Sequence, residues 1–313
     1  MFEGIKKVLR TKVPFGKVFV EGLVKTKRWL LAENVADQDA HIQLALRGRC
    51  NVCGRKARFF FTDPLLYRES LFCSVCKTNS RYRSVARGIL RAVNELAGLQ
   101  AQSLAELRHS RPGKSLTVYD TQLPFYYSDC AYPIPDLLLR CRWINTYLSS
   151  YREHHALGLQ LAPHTSNQNL EKLTFPDNHF DVVITSDVME HVRLDFEAHR
   201  EIARVLKPGG VYLFTVPHYR DARETVFRVA VNDPLDSSTD QFLMEKEYHG
   251  DANSADHTAL SYRVYGTDLD HALTQLGFTV DYTRQDFPET GIMSTELFYC
   301  RLTSKVDAVE EIH

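Results

Sequence analysis

Two Cys-x-x-Cys pairs, Cys50-Asn-Val-Cys53 and Cys73-Ser-Val-Cys76, are separated by 19 residues and constrain this chain more than any other feature. Each pair can aim two thiolates at one point, and two such turns complete a tetrahedral zinc site. Gly54 follows the first pair, where the backbone often needs a left-handed turn residue. Four cysteine ligands leave no open coordination position, so zinc held there is expected to be structural. The alternative, four buried free thiols, seldom comes with this spacing. A helix is expected next, with Ser80 as its cap and Val85, Ile89, Val93 and Leu96 at helical spacing. Residues 49–109 therefore read as a zinc ribbon plus a helix. Arg81, Arg83, Arg87 and Arg91 on that helix could contact phosphates or form a solvated face, and a staple for the fold is favoured. Loss of the metal is expected to unfold this module and to leave the rest of the chain mostly intact.

The 313 residues suit one small unit and one of ordinary domain size, and 44% apolar with 25% charged residues is a globular composition. No stretch approaches the roughly 18 consecutive apolar residues of a membrane-spanning helix. The first residues, MFEGIKKVLRTKVPFGK, put charges where a signal peptide needs its apolar stretch, which points to the cytoplasm. The net charge of −1 hides an asymmetry. Residues 1–100 carry 19 Lys and Arg against 8 Asp and Glu, and the remainder carries 19 against 31. Such a basic front could meet nucleic acid, an anionic membrane or the acidic rear of its own chain. Residues 1–48 read as a basic, partly helical arm in which Phe2, Ile5, Val8 and Leu9 could share one face. That stripe could lie on lipid as a peripheral contact, though a face packed on its own domain is the commoner use.

From residue 115 to 303 strands and helices alternate, after a linker at Ser110-Arg-Pro-Gly-Lys-Ser115 and before a tail at 304–313. SLTVYD, RWINTYL, FDVVITS and VYLFTVP read as buried strands. Between the last two lies a helix with Leu194, Ala198, Ile202, Val205 and Leu206 on one face, stopped by Lys207-Pro208-Gly209-Gly210. Thr267 and Asp270 can make a capping box for a helix that ends at Gly277. FTVDYT and ELFYCRL then close the domain as an antiparallel pair. This order implies an α/β fold, a doubly wound and mostly parallel sheet with helices on both faces.

The block from Leu173-Thr-Phe-Pro-Asp-Asn-His-Phe-Asp181 through VVITSDVMEHV, REIARVLKPGG and VYLFTVP resembles the central part of type 11 class I S-adenosylmethionine-dependent methyltransferases. A narrower resemblance is to a group with an N-terminal four-cysteine zinc ribbon and a motif that here is Tyr248-His249-Gly250-Asp251. The resemblance implies a seven-stranded sheet, S-adenosylmethionine as methyl donor, and a pocket between the ends of the first and fourth strands. In that family the first loop is usually glycine-rich; here it runs Asp120-Thr-Gln-Leu-Pro124, with Asp120 and Thr121 placed for the cofactor's amino-acid end. The resemblance assigns the end of the second strand to Thr146 and Tyr147, where a carboxylate normally holds the ribose. It gives Asn169 and Leu170 the adenine, and Ser186 and Asp187 the floor of the methyl-transfer site.

Methyl transfer to a hydroxyl benefits from a base, and His is suited to that near neutral pH. His191, His218 and His249 are the candidates, each with a structural role as the alternative. His249 is preferred because Gly250 permits close approach and Asp251 could orient the ring. The expected function is transfer of a methyl group to a hydroxyl or amine of a small-molecule or saccharide-like acceptor. Two other readings stand beside it: an RNA methyltransferase that grips nucleic acid with ribbon and arm, and a non-catalytic scaffold on a methyltransferase fold.

Overall fold

A computed structural model describes residues 45–63, 66–250 and 258–303. The expected arm helix, Asp251 and the tail lie outside the described residues.

The ribbon is a three-stranded antiparallel sheet of β1 (Ala45–Arg49), β2 (Lys56–Phe61) and β3 (Leu71–Cys73). Alternation in β2 buries Ala57, Phe59 and Phe61 and leaves Lys56 and Arg58 in solvent. The two cysteine pairs sit in matching turns. Gly54 N–H donates to the Cys50 carbonyl at 2.8 Å, and Lys77 N–H donates to the Cys73 carbonyl at 3.0 Å. Gly54 and Lys77 both have φ in the left-handed region, +71° and +59°. Helix α1 (Ser80–Ala97) comes next, capped by Asn79, whose side chain accepts from Tyr82 N–H at 2.9 Å. Ser80, expected as the cap, is instead the first helical residue. Its hydroxyl is held by Met293, to whose carbonyl it donates at 2.9 Å.

The main sheet comprises β4 (Leu116–Asp120), β5 (Ile144–Ser150), β6 (Gln160–Ala162), β7 (Thr165–Asn167), β8 (Phe180–Ser186), β9 (Leu206–Thr215), β10 (Phe278–Thr283) and β11 (Leu297–Leu302). Their order is β10-β11-β9-β8-β4-β5-β7-β6. The five central strands from β9 to β7 run parallel, and β10–β11 form the expected antiparallel pair. There are eight strands where seven were expected, because β6 folds back antiparallel on β7 at the edge.

Successive residues of each strand face opposite layers. Val118, Ile184 and Leu213 join α1 and α2 (Ile134–Leu139) on one face. Tyr119, Val183, Tyr212 and Phe214 join α3 (Asp195–Val205) and α4 (Asp268–Gln275) on the other. The sheet is doubly wound. The ribbon is not set apart from it: Leu46, Cys50, Phe59 and Leu71 belong to the same hydrophobic cluster as Val85, Ile89, Val118 and Leu213. A Cβ on Gly88 of α1 would lie 2.9 Å from Leu297 Cδ2, so the helix needs glycine to lie this close to the sheet.

Two details at helix ends differ from expectation, although α4 does begin directly after Thr267. Helix α3 stops at Val205, and Lys207-Pro208-Gly209-Gly210 already belongs to β9. Lys207 there reaches Asp181 at 2.7 Å. Thr267 makes no side-chain cap to α4, and Asp270 instead pairs with Arg220 at 2.8 Å.

Candidate functional site

The four cysteine sulfurs converge. All four Sγ atoms lie within 4.8 Å of one another, and Cys50 and Cys76 are 3.7 Å apart. Zinc–sulfur bonds of about 2.3 Å at tetrahedral angles require sulfurs about 3.8 Å apart, so this donor set fits zinc. Cys50 and Cys73 are wholly buried, in keeping with a structural site.

The second candidate lies where sheet topology places a ligand: the carboxyl ends of β4 and β8, where strand order reverses. Asp120 ends β4 and is fully buried. It accepts from Tyr132 Oη at 2.8 Å and from Gln122 N–H at 3.0 Å. Burial outweighs both bonds and pushes its pKa up to about 7. Thr121 Oγ1 and Gln122 Oε1 are also buried here and have no hydrogen-bond partner. Buried polar atoms in that state call for a partner, such as an ordered water or a polar ligand.

Asp120 carries a stability prediction. Its folded-state pKa lies above the ordinary 3.8, so its contribution is fully present below pH 3.8 and is lost as pH rises through about 7. Asp120→Asn is expected to be more stable than the parent at pH 8, by on the order of 1–4 kcal/mol, with little advantage at pH 4. Urea unfolding at the two pH values checks this; an equal difference at both would rule it out.

Ser186 and Asp187, at the end of β8, are tied to the ribbon side of the molecule. Arg68 reaches Asp187 through two contacts of 2.5 and 2.6 Å, and Arg81 lies 3.3 Å from it. Arg81 also donates to Ser186 Oγ at 2.9 Å, and Glu69 balances both arginines. Burial alone would raise the Asp187 pKa, but Arg68 and then Arg81 overcome it and hold the carboxylate well below its usual range. Asp187, expected at the floor of the methyl-transfer site, is thus an anchor between ribbon and sheet. The other arginines of α1 are likewise engaged internally. Arg83 is buried, Arg87 stacks 3.6 Å from the Phe287 ring centroid, and Arg91 pairs with Glu95 and Asp281. Part of the basic front thus meets the acidic rear of its own chain.

Strand β5 runs two residues further than RWINTYL suggested, through Ser149 and Ser150. Thr146 and Tyr147 pair with Val118 and Tyr119 in mid-sheet, so neither stands at the carboxyl end. Thr146 is buried, and the strand ends at Ser150, with exposed Tyr151 next. Tyr151 is thus the first residue past the strand, four positions beyond the Tyr147 expected there. Asn167 at the end of β7 clamps the loop that leaves β5, accepting from Arg152 N–H at 2.7 Å and donating to the carbonyl of His155 at 2.8 Å. Asn169 accepts from Glu171 N–H at 2.9 Å and Leu170 is buried, both beyond the end of β7.

The three histidines separate. His218 is buried between Tyr282 and Phe298, with Nε2 3.0 Å from the Gly266 carbonyl. Burial, and then the Arg220 cation, hold its pKa below the ordinary value. Its Nδ1 is buried too and has no hydrogen-bond partner. His191 and His249 meet edge to face with centroids 4.9 Å apart, beside buried Glu190. Their chain separation hid this cluster from sequence reasoning, as it hid the roles of Arg68, Arg81 and Gln122. Beside the amino end of α3, a cavity of about 430 Å³ is lined by Leu194, Phe196, Phe227, Val229, Leu243 and Arg263.

Comparison with known proteins places a match on the strands that bound the crevice. Residues 147–214 match the profile of a family described as Methyltransferase domain. A 40-residue stretch, 13% of this chain, is 52% identical to the ubiquinone/menaquinone biosynthesis C-methyltransferase UbiE of Azotobacter vinelandii. The UbiE of Ectopseudomonas mendocina is 55% identical over the same length. The chain spans 16% of the length of each of these curated relatives. Among solved structures, an S-adenosylmethionine-dependent methyltransferase described as putative, from Listeria monocytogenes, is similar at 13% identity and TM-score 0.37, over 64% of this chain and 97% of that one. One from Mesorhizobium loti is similar at 17% identity and TM-score 0.35, over 63% and 97%.

Proposed function

We propose that this protein transfers a methyl group from S-adenosylmethionine to a hydroxyl or amine of a small-molecule or saccharide-like acceptor. The observation that carries the reading is the methyltransferase-domain match over residues 147–214, which takes in the end of β5, all of β7 and β8, and nearly all of β9. These strands border the crevice in which open α/β sheets bind ligands. The unpartnered Thr121 Oγ1 and Gln122 Oε1 fit a polar ligand there.

Bound in that crevice, S-adenosylmethionine would supply the electrophilic methyl group. Thr121, Gln122 and the Arg81 guanidinium stand for its amino-acid end. Tyr151 stands for the ribose, and Asn169 with Leu170 for the adenine, where the Asn oxygen can accept from the amino group. Holding donor and acceptor in line accounts for much of the rate such a site can supply. The acceptor side is assigned to Glu190, His191 and His249. Zinc at the four cysteines is part of the same proposal, as a staple. Cysteines without a disulfide among the described residues fit a reducing compartment, and a cytoplasmic location is proposed on that ground. No helix among the described residues is long and apolar enough to cross a membrane.

Calorimetry with S-adenosylmethionine and with its demethylated product is the direct test. Binding of both is expected, and Tyr151→Asp is expected to tighten it by about 10-fold or more through charge-assisted bonds to the ribose hydroxyls. Absence of binding at millimolar ligand would replace this reading with the scaffold.

A further inference from the structure

We propose that Glu190, His191 and His249 bind a first-row divalent metal ion, through two imidazole nitrogens and one carboxylate. Glu190 and His191 lie on the single helical turn Met189–His191 that comes after β8. His249 reaches them from the short strand Tyr248–Gly250, which pairs with Thr258–Leu260. Their ligating atoms lie within 4.8 Å of one another.

The argument rests on where the protons must be. His191 Nδ1 is 2.8 Å from the Leu260 carbonyl, which can only accept, so Nδ1 carries the hydrogen. The lone pair of neutral His191 is then on Nε2, which faces Glu190 Oε1 at 3.7 Å. His249 Nε2 is 3.1 Å from the Glu247 carboxylate, another pure acceptor, so its hydrogen is on Nε2. Its lone pair is on Nδ1, facing the same Glu190 oxygen at 3.8 Å. Three electron-pair donors therefore point at one another. Glu190 is fully buried, and neither of its oxygens has a hydrogen-bond partner. A buried carboxylate in that state needs a positive partner.

Both histidines also have the outer support that metal-binding histidines use. One ring N–H is given to a backbone carbonyl or a carboxylate, which fixes the tautomer and aims the other nitrogen. That support is itself held: Arg228 pairs with Glu247, and the Glu190 carbonyl accepts from Tyr262 N–H at 2.8 Å. Ligands at about 2.1 Å from an ion stand roughly 3.0–3.4 Å apart, so each histidine nitrogen need approach the Glu190 oxygen by only about 0.3–0.8 Å for both to share an ion with it. Mixed imidazole and carboxylate donors suit zinc, manganese, iron or cobalt, and three protein ligands leave positions open. An ion there could grip an acceptor oxygen and lower the pKa of its hydroxyl. That role rests on the methyl-transfer reading; the binding itself does not.

Cobalt(II) is the probe, added to full-length protein whose four-cysteine site already holds zinc. The parent is expected to show saturable 1:1 binding with weak visible bands and no thiolate charge-transfer band. Glu190→Gln and His249→Ala are each expected to weaken it by about 100-fold or more, while Glu247→Gln, which removes only outer support, should cost about 10-fold. Elemental zinc and the thermal transition, measured in parallel, report folding, and His249→Ala alone decides the matter if Glu190→Gln does not fold. No saturable binding in the parent, or parental affinity in His249→Ala, would overturn the proposal and leave protons as the cluster's balance. The titration contains no methyl donor, so failure here is distinct from failure to bind S-adenosylmethionine.

Discussion

Replacing Cys73 and Cys76 by serine is expected to release zinc and to unfold the α/β sheet together with the ribbon. The energies favour this outcome. Apparent binding of structural zinc by small ribbons is worth about 10–16 kcal/mol, while whole domains are stable by only about 5–15 kcal/mol. The sheet would survive that loss only if the ribbon stood apart, and it does not. Phe59, Leu71 and Cys73 pack in one cluster with Val85 and Ile89 of α1 and with Leu213 of β9. Arg68 and Arg81 add charged ties to Asp187 at the end of β8. The unfolding of the module alone, expected on metal loss, therefore gives way to a single transition. Circular dichroism and elemental analysis on the double variant test this. Retention of a cooperative, near-parental melt after metal loss would show that the sheet stands alone.

Arg83→Met is the second large effect, expected to cost about 3–5 kcal/mol by removing a buried charge that others depend on. The Arg83 side chain is fully buried and lies 4.7 Å from the Phe59 ring centroid. It donates to the carbonyls of Leu71 at 2.8 Å and Gly291 at 2.6 Å, and also to that of Thr78. One guanidinium thus joins β3, the second cysteine turn and the turn between β10 and β11. Burial opposes its charge, and the cysteine cluster partly restores it. A zinc-loaded set of four thiolates would carry net negative charge that Arg83 offsets. Removing it strands three carbonyls as well as that charge. Arg83→Lys keeps a charge but not the planar fork, so most of the loss should remain. Denaturant midpoints measure the effect, and a loss below about 1 kcal/mol would refute it.

Local patterns told most about the regular parts. LTVYD, FDVVITS and VYLFTVP are apolar runs bounded by turn residues, and each is a strand of the central sheet. The paired cysteines were legible for the same reason, because a short spacing and a metal's geometry leave few alternatives. Strand β5 was misjudged at its end because Ser149 and Ser150 carry no apolar signal. Ser149 is nonetheless buried, satisfied by the Tyr119 hydroxyl at 2.7 Å. Lys207-Pro208-Gly209-Gly210 looked like a stop and is the start of β9, since Pro and Gly weaken a strand less at its entry than in mid-ladder.

The sequence by itself determined the α/β alternation, the four-cysteine module and the strand ends around Asp120 and Ser186, because each depends on residues close together in the chain. Only the tertiary structure decided that the ribbon shares the sheet's core, that Asp187 anchors Arg68 from 119 residues away, and that His249 faces Glu190. These contacts join segments far apart in the chain, and their partners are set by which faces meet when the sheet is covered. No local periodicity encodes that pairing, because the side chains concerned are polar and few, and burial and charge select them only once the surrounding layers are in place.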